Sequence, residues 1–374
     1  MSAISLVGGT LITPHETKAN SITCVDGKIA AIGQAQGSGR NNQSEISELK
    51  TIDVSGCYVT PGLIDIQVNG GPSCNFWGDP TIEQVQALSA DMLKAGVTTI
   101  LPTLITDDIS HIRKNIEFLK SIGVGKSAAL KSLPIYMPGI HLEGPCLSKA
   151  RPGVHPPQHI QPLTVEILAE LVDNSVILMT LAPEEDPEGE ALAFLRKNKI
   201  FPSLGHSNAT LEQANTAFDR GVELVTHLFN AMPPLHHRAP GAVTAALLDD
   251  RVRCAVIADG KHLDKNAVKL VFKVKGADKV VLVTDAAFIG TTGGDLVGSS
   301  ITLSEAVLNL VHWQIATFAQ AILMATYNAA LSIGLDDQIG QLAVGKRADL
   351  VVWDQSTLVI RHVVANGSLA YSSE

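Results

Sequence analysis

Residues Ile140-His141-Leu142-Glu143-Gly144-Pro145 follow a hydrophobic run, Leu133-Pro134-Ile135-Tyr136-Met137-Pro138-Gly139. The run reads as a buried strand, and the Gly-Pro pair ends it. The strand therefore delivers a carboxylate, Glu143, at its C-terminal end. In an α/β barrel that end faces the catalytic cavity. A carboxylate there costs stability unless it is paired or bound to a metal. Which residues meet Glu143 is the question the rest of the chain answers.

Working outward, residues from about 60 to 335 alternate short apolar runs with amphipathic segments such as Thr81–Ala95 and Leu211–Arg220. That alternation signals βα units and a parallel sheet. The candidate strands centre on Gly62–Val68, Thr98–Leu101, Pro134–Glu143, Val176–Ala182, Phe201–His206, Leu224–His227, Cys254–Ala258 and Val280–Asp285. Eight strands fit a (β/α)8 TIM-like barrel. A doubly wound sheet is the runner-up, but no GxGxxG follows an early strand.

The two ends read differently. Asp26-Gly27 sits between the apolar runs Ser21–Val25 and Lys28–Gly33, a hairpin signal. Residues 34–50 are rich in Gln, Ser, Asn and Gly and read as a surface loop. Near the C-terminus, Ala348–Asp354 and Leu358–Val364 alternate like strands, with Asn366-Gly367 as a turn. The expectation is a small β-sandwich domain built from residues 1–55 and 340–374, around a barrel of residues 56–339.

Composition bounds the function. Of 374 residues 45% are hydrophobic, enough for a large core, and the net charge of −9 argues against nucleic acid or an anionic membrane as partner. The five cysteines are scattered without a CxxC pair, as in reduced cytosolic proteins. No basic segment leads into an apolar core near residue 1, and no run of about 18 apolar residues occurs. A cytoplasmic protein is expected.

Several strands end in groups that bind metals or move protons: Glu143, His206, His227, the stretch Asp259-Gly260-Lys261-His262, and Asp285. Barrel geometry points these ends at one cavity. Two imidazoles and a carboxylate suffice to hold a zinc-like ion with one position open. Asp285 is then placed to act as general base and general acid. One strand-end histidine means little by itself; four such groups on separate strands make a site.

At this point the chain resembles the N-acetylglucosamine-6-phosphate deacetylase family of the metal-dependent amidohydrolase superfamily. The resemblance rests on Pro61-Gly62-Leu63-Ile64-Asp65, His141-Leu142-Glu143-Gly144-Pro145, Gly205-His206-Ser207, Thr226-His227-Leu228-Phe229-Asn230-Ala231-Met232, Ala258-Asp259-Gly260-Lys261-His262, Leu282-Val283-Thr284-Asp285-Ala286 and Gly345-Lys346-Arg347-Ala348-Asp349-Leu350. It implies that Glu143, His206 and His227 ligate one divalent ion, zinc by default, with Fe, Mn or Co accepting the same ligands. It implies that Asp285 is the catalytic acid/base and that His155 helps polarise the acetyl carbonyl. Substrate contacts would come from Val154, Asn230, Ala231, Arg238 and His262, with Leu296, Val297 and Gly298 closing over the acetyl end. Arg238 and His262 would hold the phosphate, and Arg238 could serve a neighbouring subunit's site in a homodimer. The expected substrate is a small amino-sugar phosphate, with neither nucleic acid nor membrane involved. Arg238 sits in His236-His237-Arg238, a cationic cluster in an acidic chain, and arginine matches phosphate oxygens bidentately. His141 is read as a structural histidine.

Two departures bear on this. Where many amidohydrolases carry His-x-His at the end of strand one, this chain has Gln67-Val68-Asn69. Amides are poor ligands for such an ion, so one metal is expected. The segment Ala286–Asp295 is also short. Its glycines, Gly290–Gly298, lack the lysine and spacing of a phosphate loop. Deacetylation of N-acetylgalactosamine 6-phosphate, another amidohydrolase reaction and a loop-truncated non-catalytic homologue are the alternatives. Cyclic amide hydrolysis of the dihydroorotase type is disfavoured because no lysine ends strand four.

Overall fold

The computed structural model describes residues 3–13, 18–34, 49–125, 133–287 and 297–373. Eight parallel strands lie side by side in chain order. They are β1 (Leu63–Val68), β2 (Val97–Ile105), β3 (Ile140–Glu143), β4 (Val176–Leu181), β5 (Phe201–Leu204), β6 (Leu224–Val225), β7 (Arg253–Val256) and β8 (Val280–Leu282). A parallel bridge from Val68 to Ala286, just past β8, closes the ring. All six residues of β1 are buried, as expected for a strand covered on both faces. The architecture is the expected (β/α)8 barrel with a sandwich from the chain ends.

Four of the helices begin where the sequence writes a capping box. Thr81 with Gln84, Thr210 with Gln213, Thr302 with Glu305 and Thr317 with Gln320 each satisfy two end amides reciprocally. The helices Ile82–Lys94 and Leu211–Asp219 fall where the amphipathic pattern put them. Helix Tyr327–Ser332 seals the strands' N-terminal end: Asn328 Nδ2 donates to the carbonyl of Val280 at 2.7 Å, and Ala329, Ala330 and Ile333 pack with Ile64, Leu178 and Val281.

Strand limits differ from expectation where backbone chemistry intervenes. The run Pro134–Gly139 makes only a bridge from Tyr136 to Thr99, because Pro138-Gly139 interrupts the ladder before β3. Strands β5, β6 and β8 stop short of His206, His227 and Asp285. Each of these residues has positive φ (48°, 30° and 52°), which takes it out of the sheet.

The ends of the chain form two sheets that share one core. Strands 3–7, 21–25, 28–33 and 49–53 make the first; 10–11, 57–61, 350–354, 360–365 and 368–372 make the second. Leu6, Ile22, Val59, Leu350 and Val364 meet between them. Both predicted turns have positive φ at each central residue, Asp26 47° and Gly27 79°, Asn366 49° and Gly367 74°, matching the twist of a two-residue hairpin. The loop expected over 34–50 lies mostly outside the described residues, and its end, Leu49–Lys50, opens the strand Leu49–Asp53 beside Ala3–Val7. Cys57–Pro61 pairs antiparallel with Leu350–Asp354, so the expected division after residue 55 would split a sheet. We propose that the small domain runs to Pro61.

Candidate metal centre and active site

Glu143, the last residue of β3, is buried. Its Oε1 lies 2.9 Å from His227 Nε2 and 3.3 Å from His206 Nε2, and the two imidazole nitrogens are 3.1 Å apart. Tetrahedral ligands at ~2.1 Å from a zinc-like ion stand roughly 3.4 Å apart, so the spacing suits one. Ring orientation supports the fit. Nδ1 of His206 donates to the carbonyl of Arg151 at 3.2 Å, which turns Nε2 toward the carboxylate. Two imidazole Nε2 atoms and a carboxylate oxygen this close together can share one cation. Burial pushes the Glu143 carboxyl up, but hydrogen bonds and charge from the two imidazoles hold it well below its usual range. No other group of three such side chains among the described residues comes close enough to hold an ion.

Gln67, near the end of β1, donates its amide to Glu143 Oε1 at 3.0 Å, and Asn69 donates to Asp285 Oδ1 at 2.6 Å. The Gln-x-Asn pair thus presents N–H groups to the two carboxylates. Burial, then the Glu143 charge, pushes Asp285 up to about 8. A divalent ion beside Glu143 would offset that repulsion and favour the ionised carboxylate.

His155 is buried 4.3 Å, ring to ring, from His206. The backbone N–H of Thr106 donates to His155 Nδ1 at 3.3 Å, and the Thr106 hydroxyl lies 2.8 Å from the same nitrogen. A nitrogen that accepts from a backbone amide carries no proton, so Nε2 carries it. Burial, then the His206 charge, keeps the ring well below its usual value and therefore neutral. His155 is a fixed neutral donor.

These groups line a cavity of about 260 Å³ with Asn69, Trp77, Gly153, Val154, Asn230, Ala231, Lys261, His262 and Gly298. His262 is aimed by Asp259, which accepts its Nδ1–H at 2.8 Å and the backbone N–H groups of Lys261 and His262. Gly298 has φ +58°, and a Cβ there would stand 2.5 Å from the Cβ of Ala287. Val297 is buried beside it but does not line the cavity. Leu296 and the glycines up to it lie outside the described residues. Arg238 is exposed and does not line its own chain's cavity. His141 hydrogen-bonds the carbonyl of Ile66 at 3.0 Å and Thr180 at 2.8 Å, and burial pushes it down to about 4. A larger cavity, about 640 Å³, opens at the other end of the barrel between Tyr136, Arg253 and Leu331; it includes none of these groups.

The amidohydrolase family model matches residues 58–370. The chain belongs to the amidohydrolase family. Within it the chain falls in the N-acetylglucosamine-6-phosphate deacetylase branch. It is 34% identical to the N-acetylglucosamine-6-phosphate deacetylase of Haemophilus influenzae, over 84% of this chain and 87% of that one. It is 33% identical to the N-acetylgalactosamine-6-phosphate deacetylase of a Shewanella species, over 84% and 83%. The crystal structure of N-acetylglucosamine-6-phosphate deacetylase from Pasteurella multocida superposes with a TM-score of 0.86 at 28% identity, covering 99% of this chain and 100% of that one.

Sequence reasoning missed four residues of this amidohydrolase site: Asn69 as a donor to Asp285, Trp77 behind it, Thr106 behind His155, and Asp259 behind His262. Only Asp259 left a readable signal, a carboxylate three residues before a strand-end histidine.

Proposed function

We propose that the protein hydrolyses the N-acetyl group of N-acetyl-D-glucosamine 6-phosphate, giving glucosamine 6-phosphate and acetate. The observation that carries the reading is the convergence of Glu143, His206 and His227 beside Asp285 and a neutral, donor-oriented His155. A divalent ion held by the three ligands would polarise the acetyl carbonyl and make a water acidic enough to attack near neutral pH; zinc is the default for this ligand set.

The chain's own groups supply the rest. His155 Nε2–H donates to the acetyl oxygen as charge builds on it. Asp285 takes the proton of the attacking water. It returns that proton to the amine nitrogen as the C–N bond breaks, so the site ends neutral in protons. His262 and Lys261 hold the phosphate, with Arg238 added from the neighbouring subunit of a homodimer; its exposure away from its own cavity supports that arrangement. Val154, Asn230 and Ala231 contact the sugar, and Gly298 borders the acetyl group. A cytoplasmic location suits five unpaired cysteines.

The likeness to N-acetylgalactosamine-6-phosphate deacetylases supports the epimeric substrate as a second reading. Acetate release by metal-reconstituted protein from the two sugar phosphates decides between them. The larger kcat/KM names the substrate; release from neither overturns the deacetylase reading and favours a non-catalytic homologue.

A further inference from the structure

We propose that Trp77 and Asn69 form a positioning relay that sets which oxygen of Asp285 exchanges protons during the reaction. The inference rests on the role given to Asp285 above and deepens it. The Trp77 indole Nε1–H lies 3.1 Å from Asn69 Oδ1. An indole N–H can only donate, so this contact decides which way the Asn69 amide faces. Oδ1 must point to Trp77, and Nδ2 must point to Asp285 Oδ1, 2.6 Å away. One oxygen of Asp285 is thereby engaged in a charge-assisted hydrogen bond. Among the described residues no other side chain bonds the carboxylate, which leaves Oδ2 to carry the proton.

The backbone is built to hold this relay. After β1 the chain folds into a tight hairpin, Gly70–Gly71 against Cys74–Asn75, and returns Trp77 to a residue eight positions earlier. Gly70 has φ +154°, and a Cβ there would meet the carbonyl oxygen of Cys74 at 2.3 Å. Phe76 is fully buried, and its N–H donates to the Asn69 carbonyl at 3.0 Å. Asn75 Oδ1 accepts the Trp77 backbone N–H at 2.8 Å. Trp77 also lines the cavity, so a substrate contact is the rival explanation. The two predict different kinetics. A substrate contact changes KM and acts independently of Asn69. A relay changes kcat and acts only through Asn69.

The test uses full-length, metal-loaded protein as wild type, Trp77→Phe, Asn69→Ala and the double variant. Phe keeps an aromatic ring and removes the indole N–H. Each single variant is expected to lower kcat roughly ten-fold, the scale of one lost hydrogen bond to a charged group, with KM nearly unchanged. The acid limb of the kcat/KM profile should move to higher pH in both. The double variant should be no slower than Asn69→Ala alone. Additive losses, or a rise in KM alone, would overturn the relay. A second readout needs no turnover. The Trp77 indole 1H–15N resonance should shift and exchange faster in Asn69→Ala; an unmoved signal also overturns the relay. Absence of acetate release by the wild type would sink the deacetylase reading, and the indole signal would still decide the relay.

Discussion

Asp65 and Thr284 clasp the first and last strands of the barrel together. The Thr284 hydroxyl donates to Asp65 Oδ2 at 2.6 Å, and the Thr284 backbone N–H reaches Asp65 Oδ1 at 3.3 Å, as does the N–H of Gln67. The clasp sits one residue before Asp285 and two before Gln67, so it registers two walls of the site. Burial pushes Asp65 up to about 7. Because that value is raised above the ordinary 3.8, ionisation opposes folding. Stability contributed by the protonated form is complete below about pH 4 and declines as pH rises toward 7. In urea unfolding of metal-free protein, Asp65→Asn should therefore gain on the wild type between pH 5 and pH 8. Asp65→Leu should lose on the order of 2–4 kcal/mol at every pH, because three donors lose their acceptor. A difference between wild type and Asp65→Asn that is flat with pH would contradict the buried-carboxyl account.

The ligand set makes its own prediction about metal removal. Chelation should abolish acetate release, and one equivalent of divalent ion per chain should restore it. Since an ion bound only by the native state stabilises it by RT ln(1 + [L]/Kd), the melting temperature should rise with metal concentration. His206→Ala and His227→Ala should lose both responses, while Gln67→Ala keeps stoichiometry near one. Two equivalents of metal per chain, measured by elemental analysis, would show that Gln67 and Asn69 do ligate.

The barrel was legible because its strands are short, apolar and regularly spaced, and amphipathic segments fall between them. Glu143, His206, His227 and Asp285 were legible because each is a titratable group at a strand end, where topology says what it faces. Asn69 and Trp77 were not. An amide and an indole carry no charge that marks them in a sequence, and their contact depends on a hairpin that returns the chain eight residues later. Thr106 escaped for a related reason. Strand β2 extends to Ile105, four residues past the expected end, so the residue that orients His155 looked like the start of a loop. Arg238 shows the opposite limit: its charge stood out, but the fold leaves it exposed and outside its own chain's cavity.

The His155 tautomer can be tested directly. Thr106 supplies a backbone N–H and a hydroxyl to Nδ1, so Nε2–H faces the cavity. Replacing His155 with Phe removes a donor aimed at developing charge and should lower kcat ~10²–10³-fold, the usual scale for such a group. Thr106→Val keeps the backbone N–H and should cost much less, roughly five-fold. Nitrogen chemical shifts of the metal-free protein should show His155 neutral with its proton on Nε2 across pH 5 to 8. A ring that titrates in that range would remove the donor role.

Asp259 offers the last prediction, because it aims His262, the proposed phosphate ligand. Its carboxylate accepts the Nδ1–H of His262 and two backbone amides. Burial raises Asp259, but the His262 hydrogen bond and the two amides bring it below its ordinary value. A lowered carboxyl contributes stability that is present above its unfolded pKa and lost as pH falls through the folded one. The aiming of His262 should therefore hold at neutral pH and fail in acid. Asp259→Asn removes the carboxylate that accepts the His262 Nδ1–H and aims the ring. It should raise KM for the phosphorylated sugar about ten-fold, leave kcat within two-fold, and scarcely touch turnover of unphosphorylated N-acetylglucosamine. Equal losses on both substrates would place His262 at the reacting bond, not at the phosphate.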